Sequence, residues 1–81
     1  MRWKFSSVSA RLPRMRANEV DKVLQCHGFI LISQRGSHQK WRNEATAKQV
    51  IVPYHEERQL PLGTLHHIAE GSGIPHEELH C

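Results

Sequence analysis

Gly36-Ser37-His38 lies between an apolar run, Phe29-Ile30-Leu31-Ile32, and a basic-aromatic stretch, Lys40-Trp41-Arg42. Histidine is the side chain best able to move a proton near neutral pH. A general acid or base must titrate in that range and reach the reacting atom. If residues 38–43 form a strand, alternate side chains share a face. His38, Lys40 and Arg42 then stand together, with Gln39, Trp41 and Asn43 on the opposite side. An imidazole beside two cations suits chemistry at a phosphodiester. His38 could take the proton from a ribose 2′-OH or give one to the leaving 5′-oxygen, while Lys40 and Arg42, with Arg35, hold the phosphate and stabilise its developing charge. Gly36 and Ser37 shape the turn and could offer backbone N–H groups to the phosphate. The competing reading is a polar turn histidine with no chemistry, since Gly-Ser-His is too short to be specific.

The other histidines divide into weaker cases. His55 follows a strand and a proline, at the mouth of a loop. It is a second candidate for proton transfer or phosphate contact, against the alternative of a solvated loop residue. His66 and His67 occupy consecutive helix positions and point in different directions, so they make no paired site. His76 and His80 are four apart with Cys81 adjacent, a spacing zinc could use, but nothing nearby completes a tetrahedral set. No phosphate-binding glycine loop, nucleotide fingerprint or paired-carboxylate site is present. No metal or cofactor is expected.

Elements that could position His38 follow from periodicity. Val20, Val23, Leu24 and His27 recur at i, i+3, i+4 and i+7, predicting a helix over 18–27 with Asn18 as N-cap, Asp21 completing a capping box and Gly28 at its end. Residues 29–34 read as a strand, apolar on both faces at its start and so expected to be central and covered. Residues 38–43 form a second strand with Trp41 toward the helices, and Lys48 to Pro53 a third, with Val50 and Val52 on one side. A polar loop spans 54–61. A second helix runs from Leu62 to Ser72 on Leu65, Ile68 and Ala69, weakened at its end by Gly71 and Gly73. A last helical turn covers Pro75 to His80. Strands this close in sequence favour an antiparallel meander. The expected class is α+β, α-β-β-β-α(-α), with helices on one face of a three-stranded sheet.

Composition sets the bounds. The chain has 81 residues, a net charge of +3 with neutral histidines and 2 cysteines, enough for one domain. Residues 1–16 carry Arg2, Lys4, Arg11, Arg14 and Arg16 with no acid, whereas Glu56, Glu57, Glu70, Glu77 and Glu78 gather late. Residues 1–10 lack a clear period and read as an N-terminal basic extension: an arm, an extra edge strand, or the product of a start placed too early. Residues 11–81 then form the domain proper. Two cysteines make no disulfide framework, so free thiols in a reducing cytosol are expected. No stretch approaches membrane-spanning length and the N-terminus lacks an apolar h-region, so a cytoplasmic location is expected.

A series of short segments carries a family resemblance: Leu12-Pro13-Arg14, Asn18-Glu19-Val20, His27-Gly28-Phe29, Gln34-Arg35-Gly36-Ser37-His38, Val50-Ile51-Val52-Pro53-Tyr54-His55, Leu60-Pro61-Leu62-Gly63-Thr64-Leu65-His66-His67-Ile68 and Gly73-Ile74. In this order and spacing, over residues 11–79, the chain resembles the HicA-type (YcfA-like) mRNA interferase toxins. The resemblance implies a double-stranded-RNA-binding-like domain and metal-independent endoribonucleolytic cleavage of mRNA. It places the catalytic role on His38. It also implies a HicB-type antitoxin that covers the active face, the toxin being a monomer when free and a hetero-oligomer with its antitoxin. Two further classes fit the same residues: an RNA-binding module without chemistry, reading A-form RNA by shape and backbone, and a protein-interaction subunit whose basic face docks an acidic partner. RNA binding without products would mark the first, negligible RNA affinity the second.

Overall fold

The computed structural model describes residues 14–55 and 58–80. In chain order they form helix α1 (Ala17–Cys26), strands β1 (Ile30–Arg35), β2 (His38–Asn43) and β3 (Lys48–Pro53), helix α2 (Leu62–Ser72) and a 3₁₀ turn at His76–Glu78. The sheet is an antiparallel meander in the order β1-β2-β3. This is the expected α+β architecture of a double-stranded-RNA-binding-like domain. Its core joins Val20, Val23 and Leu24 of α1 to Trp41, Val50 and Val52 of the sheet and to Leu65, Ile68 and Ala69 of α2. Both helices therefore lie on one face of the sheet. No helix among the described residues is long and apolar enough to cross a membrane. The extension expected at residues 1–10 lies outside the described residues.

Where sequence and structure differ, tertiary contacts explain the difference. Helix α1 begins before Asn18, because Met15 and Ala17 are already buried in the core. The Met15 carbonyl accepts the Leu60 N–H at 2.7 Å and Arg16 bridges Gln59. The capping acid is Glu19, whose Oε1 accepts the Arg16 N–H at 2.7 Å; Asp21 instead faces the underside of the sheet. Leu60, placed in a polar loop by its neighbours, is a buried core residue. Strand β1 is not central. It forms an edge, exposed along its whole length. Its apolar start is mostly uncovered, and only Phe29, just before it, is buried. Cys26, at the exposed end of α1, is disulfide-bonded, which corrects the expectation of a free thiol there; Cys81 lies outside the described residues.

Gly71 also plays a different part from the one its helix propensity suggests. Helix α2 continues through it to Ser72. A Cβ at this position would come within 2.9 Å of Val50 Cγ1 and 3.7 Å of the Gln49 carbonyl. The missing side chain lets α2 lie close against β3 and bury Ile68 and Ala69.

Strand β2 is tied to α1 by a polar group inside the interface. Gln39 is buried beside Trp41. With its amide nitrogen toward Asp21, it donates to both carboxylate oxygens at 2.9 and 2.8 Å. The Trp41 side chain adds a further bond to Asp21. These donors pull the Asp21 pKa down, but burial outweighs them and pushes it from its ordinary 3.8 up to about 6. Between those values the folded chain holds a proton that the unfolded chain releases, so stability falls as pH rises through the window.

Two outcomes follow. Asp21→Asn should unfold at a higher temperature than the native chain at pH 7 and should lose the decline in stability between about pH 4 and 6. Thermal unfolding across that range measures both effects, and an unchanged slope would assign the proton elsewhere. Gly71→Ala should lower stability by about 1–2 kcal/mol despite alanine's better helix propensity, because overpacking against Val50 outweighs a gain of about 1 kcal/mol. Denaturant unfolding of the variant would contradict this close-approach reading if it showed stabilisation.

Candidate active site on the open face of the sheet

The site begins with a two-residue turn. Arg35 pairs with His38 across it, and Gly36 has φ +57. A positive φ at the first turn residue and none at the second, Ser37, is the type II′ pattern, which matches the twist of a hairpin and favours glycine at the first position. Nothing lies within 4 Å of where a Gly36 Cβ would stand, so the backbone rather than space demands glycine. The Gln34 amide donates to the Gly36 carbonyl at 3.1 Å, and the Tyr54 N–H donates to the Ser37 carbonyl at 2.6 Å. The turn is thus held from β1 and from the end of β3. His38 is the first residue after it and is exposed.

Alternation along β2 then separates two tasks. Trp41, 3% exposed, and Gln39 face the helices. His38 and Lys40 face away from them, and no helix among the described residues covers that side. Across the ladder, Arg35 stands opposite His38, Ser33 opposite Lys40 on one flank, and Ile51 opposite Lys40 on the other. Ser33, Arg35, His38, Lys40 and Ile51 line one concavity of about 710 Å³. Among the described residues, Arg35 and Lys40 form no salt bridge and no hydrogen bond holds the His38 ring. The concavity therefore offers two uncompensated cations beside an accessible imidazole. Such a surface can neutralise a phosphate while the imidazole moves a proton.

The remaining candidates sit around this centre. Arg42 shares the face but lies at the far end of β2, where its Nε meets Glu44 at 3.3 Å and its Nη1 donates to Gln49 at 3.4 Å. It does not line the concavity. His55 is exposed in a separate depression of about 360 Å³ together with Pro53, Arg58 and Thr64. Gly36 and Ser37 contribute the turn. Two lining residues escaped sequence reasoning, Ser33 and Ile51. The pairing of β1 with β2 places the Ser33 hydroxyl opposite Lys40, and that register includes a bulge with Ile32 as the extra residue. Counting outward from the two-residue turn would have found Ser33. Among the described residues, no three His, Cys, Asp or Glu side chains come together as a metal site.

No curated protein matches the chain. The sequence model for the HicA toxin of bacterial toxin–antitoxin systems matches residues 17–74. That span runs from the first residue of α1, through all three strands and α2, to the buried Ile74. It covers more than half of the chain and includes every residue that lines the concavity. A toxin of this kind has a cognate antitoxin. The chain belongs to the HicA toxin family of bacterial toxin–antitoxin systems.

Proposed function

We propose that this toxin is a metal-independent endoribonuclease that cuts mRNA in the cytoplasm and arrests translation. The observation that carries the reading is one concavity in which His38, Lys40 and Arg35 converge with no counterion among the described residues. The ribose 2′-oxygen attacks the adjacent phosphorus, and the bond from phosphorus to the 5′-oxygen breaks. The 2′-OH proton leaves to a base, and the 5′-oxygen gains one from an acid. His38 takes one of these two roles. Lys40 and Arg35 bind the non-bridging oxygens, where negative charge builds up in the transition state. Ser33 adds a hydroxyl donor beside Lys40. Arg42 and His55 lie further out and contact flanking phosphates. Gly36 and Ser37 hold His38 at the rim.

The partner is a HicB-type antitoxin. The free toxin is a monomer and the inhibited form a hetero-oligomer. One observation favours the alternative of an RNA-binding module without chemistry: the His38 ring lacks an orienting hydrogen bond among the described residues, whereas catalytic bases are commonly held by a third group.

In chelator-containing buffer, the wild-type chain should cut RNA to leave 2′,3′-cyclic phosphate and 5′-hydroxyl ends. His38→Ala should lose at least about 10²-fold in rate with its fold intact. RNA binding without products would favour the binding module, and 3′-hydroxyl ends would point to attack by water. Lys40→Ala should lose roughly ten- to a hundred-fold, the worth of a charge-assisted contact, and Arg42→Ala less, because Arg42 stands outside the concavity. Equal losses at 40 and 42 would contradict this ranking.

A further inference from the structure

The two edges of the sheet are treated differently. Strand β3 begins with Lys48, ends with Pro53 and has α2 packed against it, with Lys48 reaching over Gly73. Charges, prolines and covering elements are the usual means of closing a sheet edge. Strand β1 has no charge or proline until its last residue, Arg35, and no covering element among the described residues. Its six residues are all exposed. Ile30, Leu31 and Ile32 are 53%, 45% and 42% exposed in succession. Among the described residues no strand pairs with its outer side. An unguarded apolar edge is a template for strand addition.

We propose that the outer edge of β1 is the docking site for an extended segment of the cognate antitoxin, which adds to the sheet as a fourth strand. The proposal rests on the family assignment and not on the catalytic reading. Charge selects the occupant. The edge runs from three aliphatic residues to Arg35, which adjoins His38 and lies near the uncompensated Lys40. A complementary strand is apolar beside Leu31 and Ile32 and acidic where it reaches Arg35. The chain's own N-terminal stretch is basic, with Arg2, Lys4, Arg11 and Arg14, and is a poor match for that cationic end. A second copy would place like charges together if the two β1 strands paired in parallel. Because Ser33 and Arg35 belong both to β1 and to the concavity, a strand added here borders the RNA site and brings the rest of the antitoxin over it.

The test uses the full chain, alone and in complex with its antitoxin. Amide hydrogen exchange should show β1 unprotected on its outer side in the free chain and protected in the complex. Ile32→Lys, which lies outside the concavity, should weaken antitoxin binding about thirty-fold or more and leave RNA cleavage unchanged. Protection already present in the dilute free chain would assign the edge to the N-terminal stretch. Protection that grows with toxin concentration would assign it to a second copy. A tight complex with β1 unprotected, or undiminished binding by the variant, would overturn the docking site while leaving the antitoxin as partner. The absence of any complex would overturn both.

Discussion

Burial of Trp41 is the constraint on which the arrangement depends. Side chains on a strand alternate with a period of two, so a one-residue slip of β2 would move every side chain to the other face. Trp41 is the largest aromatic in the core, packed over α1 and flanked on the same face by Gln39, which reaches Asp21. Satisfying this face fixes the register. His38 and Lys40 must then point to the open side, and the two-residue turn sets Arg35 opposite His38. The same strand anchors the core and displays the candidate site residues.

A half-buried acid beneath the strand has a cost. Asp21 is held by Gln39 and Trp41 yet is desolvated enough to keep its proton to about pH 6. The polar contact ties α1 to β2, while burial makes the charged form of Asp21 costly. On the open side the balance is reversed. Arg35, His38 and Lys40 line an open concavity, and among the described residues no strand or helix lies over them. The two described helices lie on one face of the three described strands, which leaves this division between the faces.

Much of this was legible in the residues. Strands β2 and β3 and helix α2 have the bounds their alternation and apolar stripe predict, since in each the hydrophobic period is also the burial period. Strand β1 misled. Its aliphatic run reads as a central strand, but burial is a property of neighbours, and β1 has β2 on one side and no described strand on the other. The start of α1 was displaced because Met15 and Ala17 pack with Leu60, a contact across more than forty residues that no local signal carries. At the candidate site, His38 and Lys40 were visible from strand parity alone. The convergence of Arg35 and Ser33 depended on pairing across the hairpin, while the separation of Arg42 and His55 from the concavity depended on Glu44, Gln49 and the loop after β3. Gly71 has a second role that helix propensity does not express, because propensity ignores how closely a neighbouring strand approaches.

The central claim is that RNA reacts on the open face of β2. The most direct measurement is a backbone and imidazole NMR titration of the wild-type chain with a short RNA made uncleavable by a 2′-deoxy substitution at the scissile position. The account predicts perturbations centred on Ser33, Arg35, His38, Lys40 and Ile51, fading toward Arg42 and absent from the outward face of α2. Perturbations centred on α2 or on the depression around His55 and Arg58, with His38 unmoved, would contradict it.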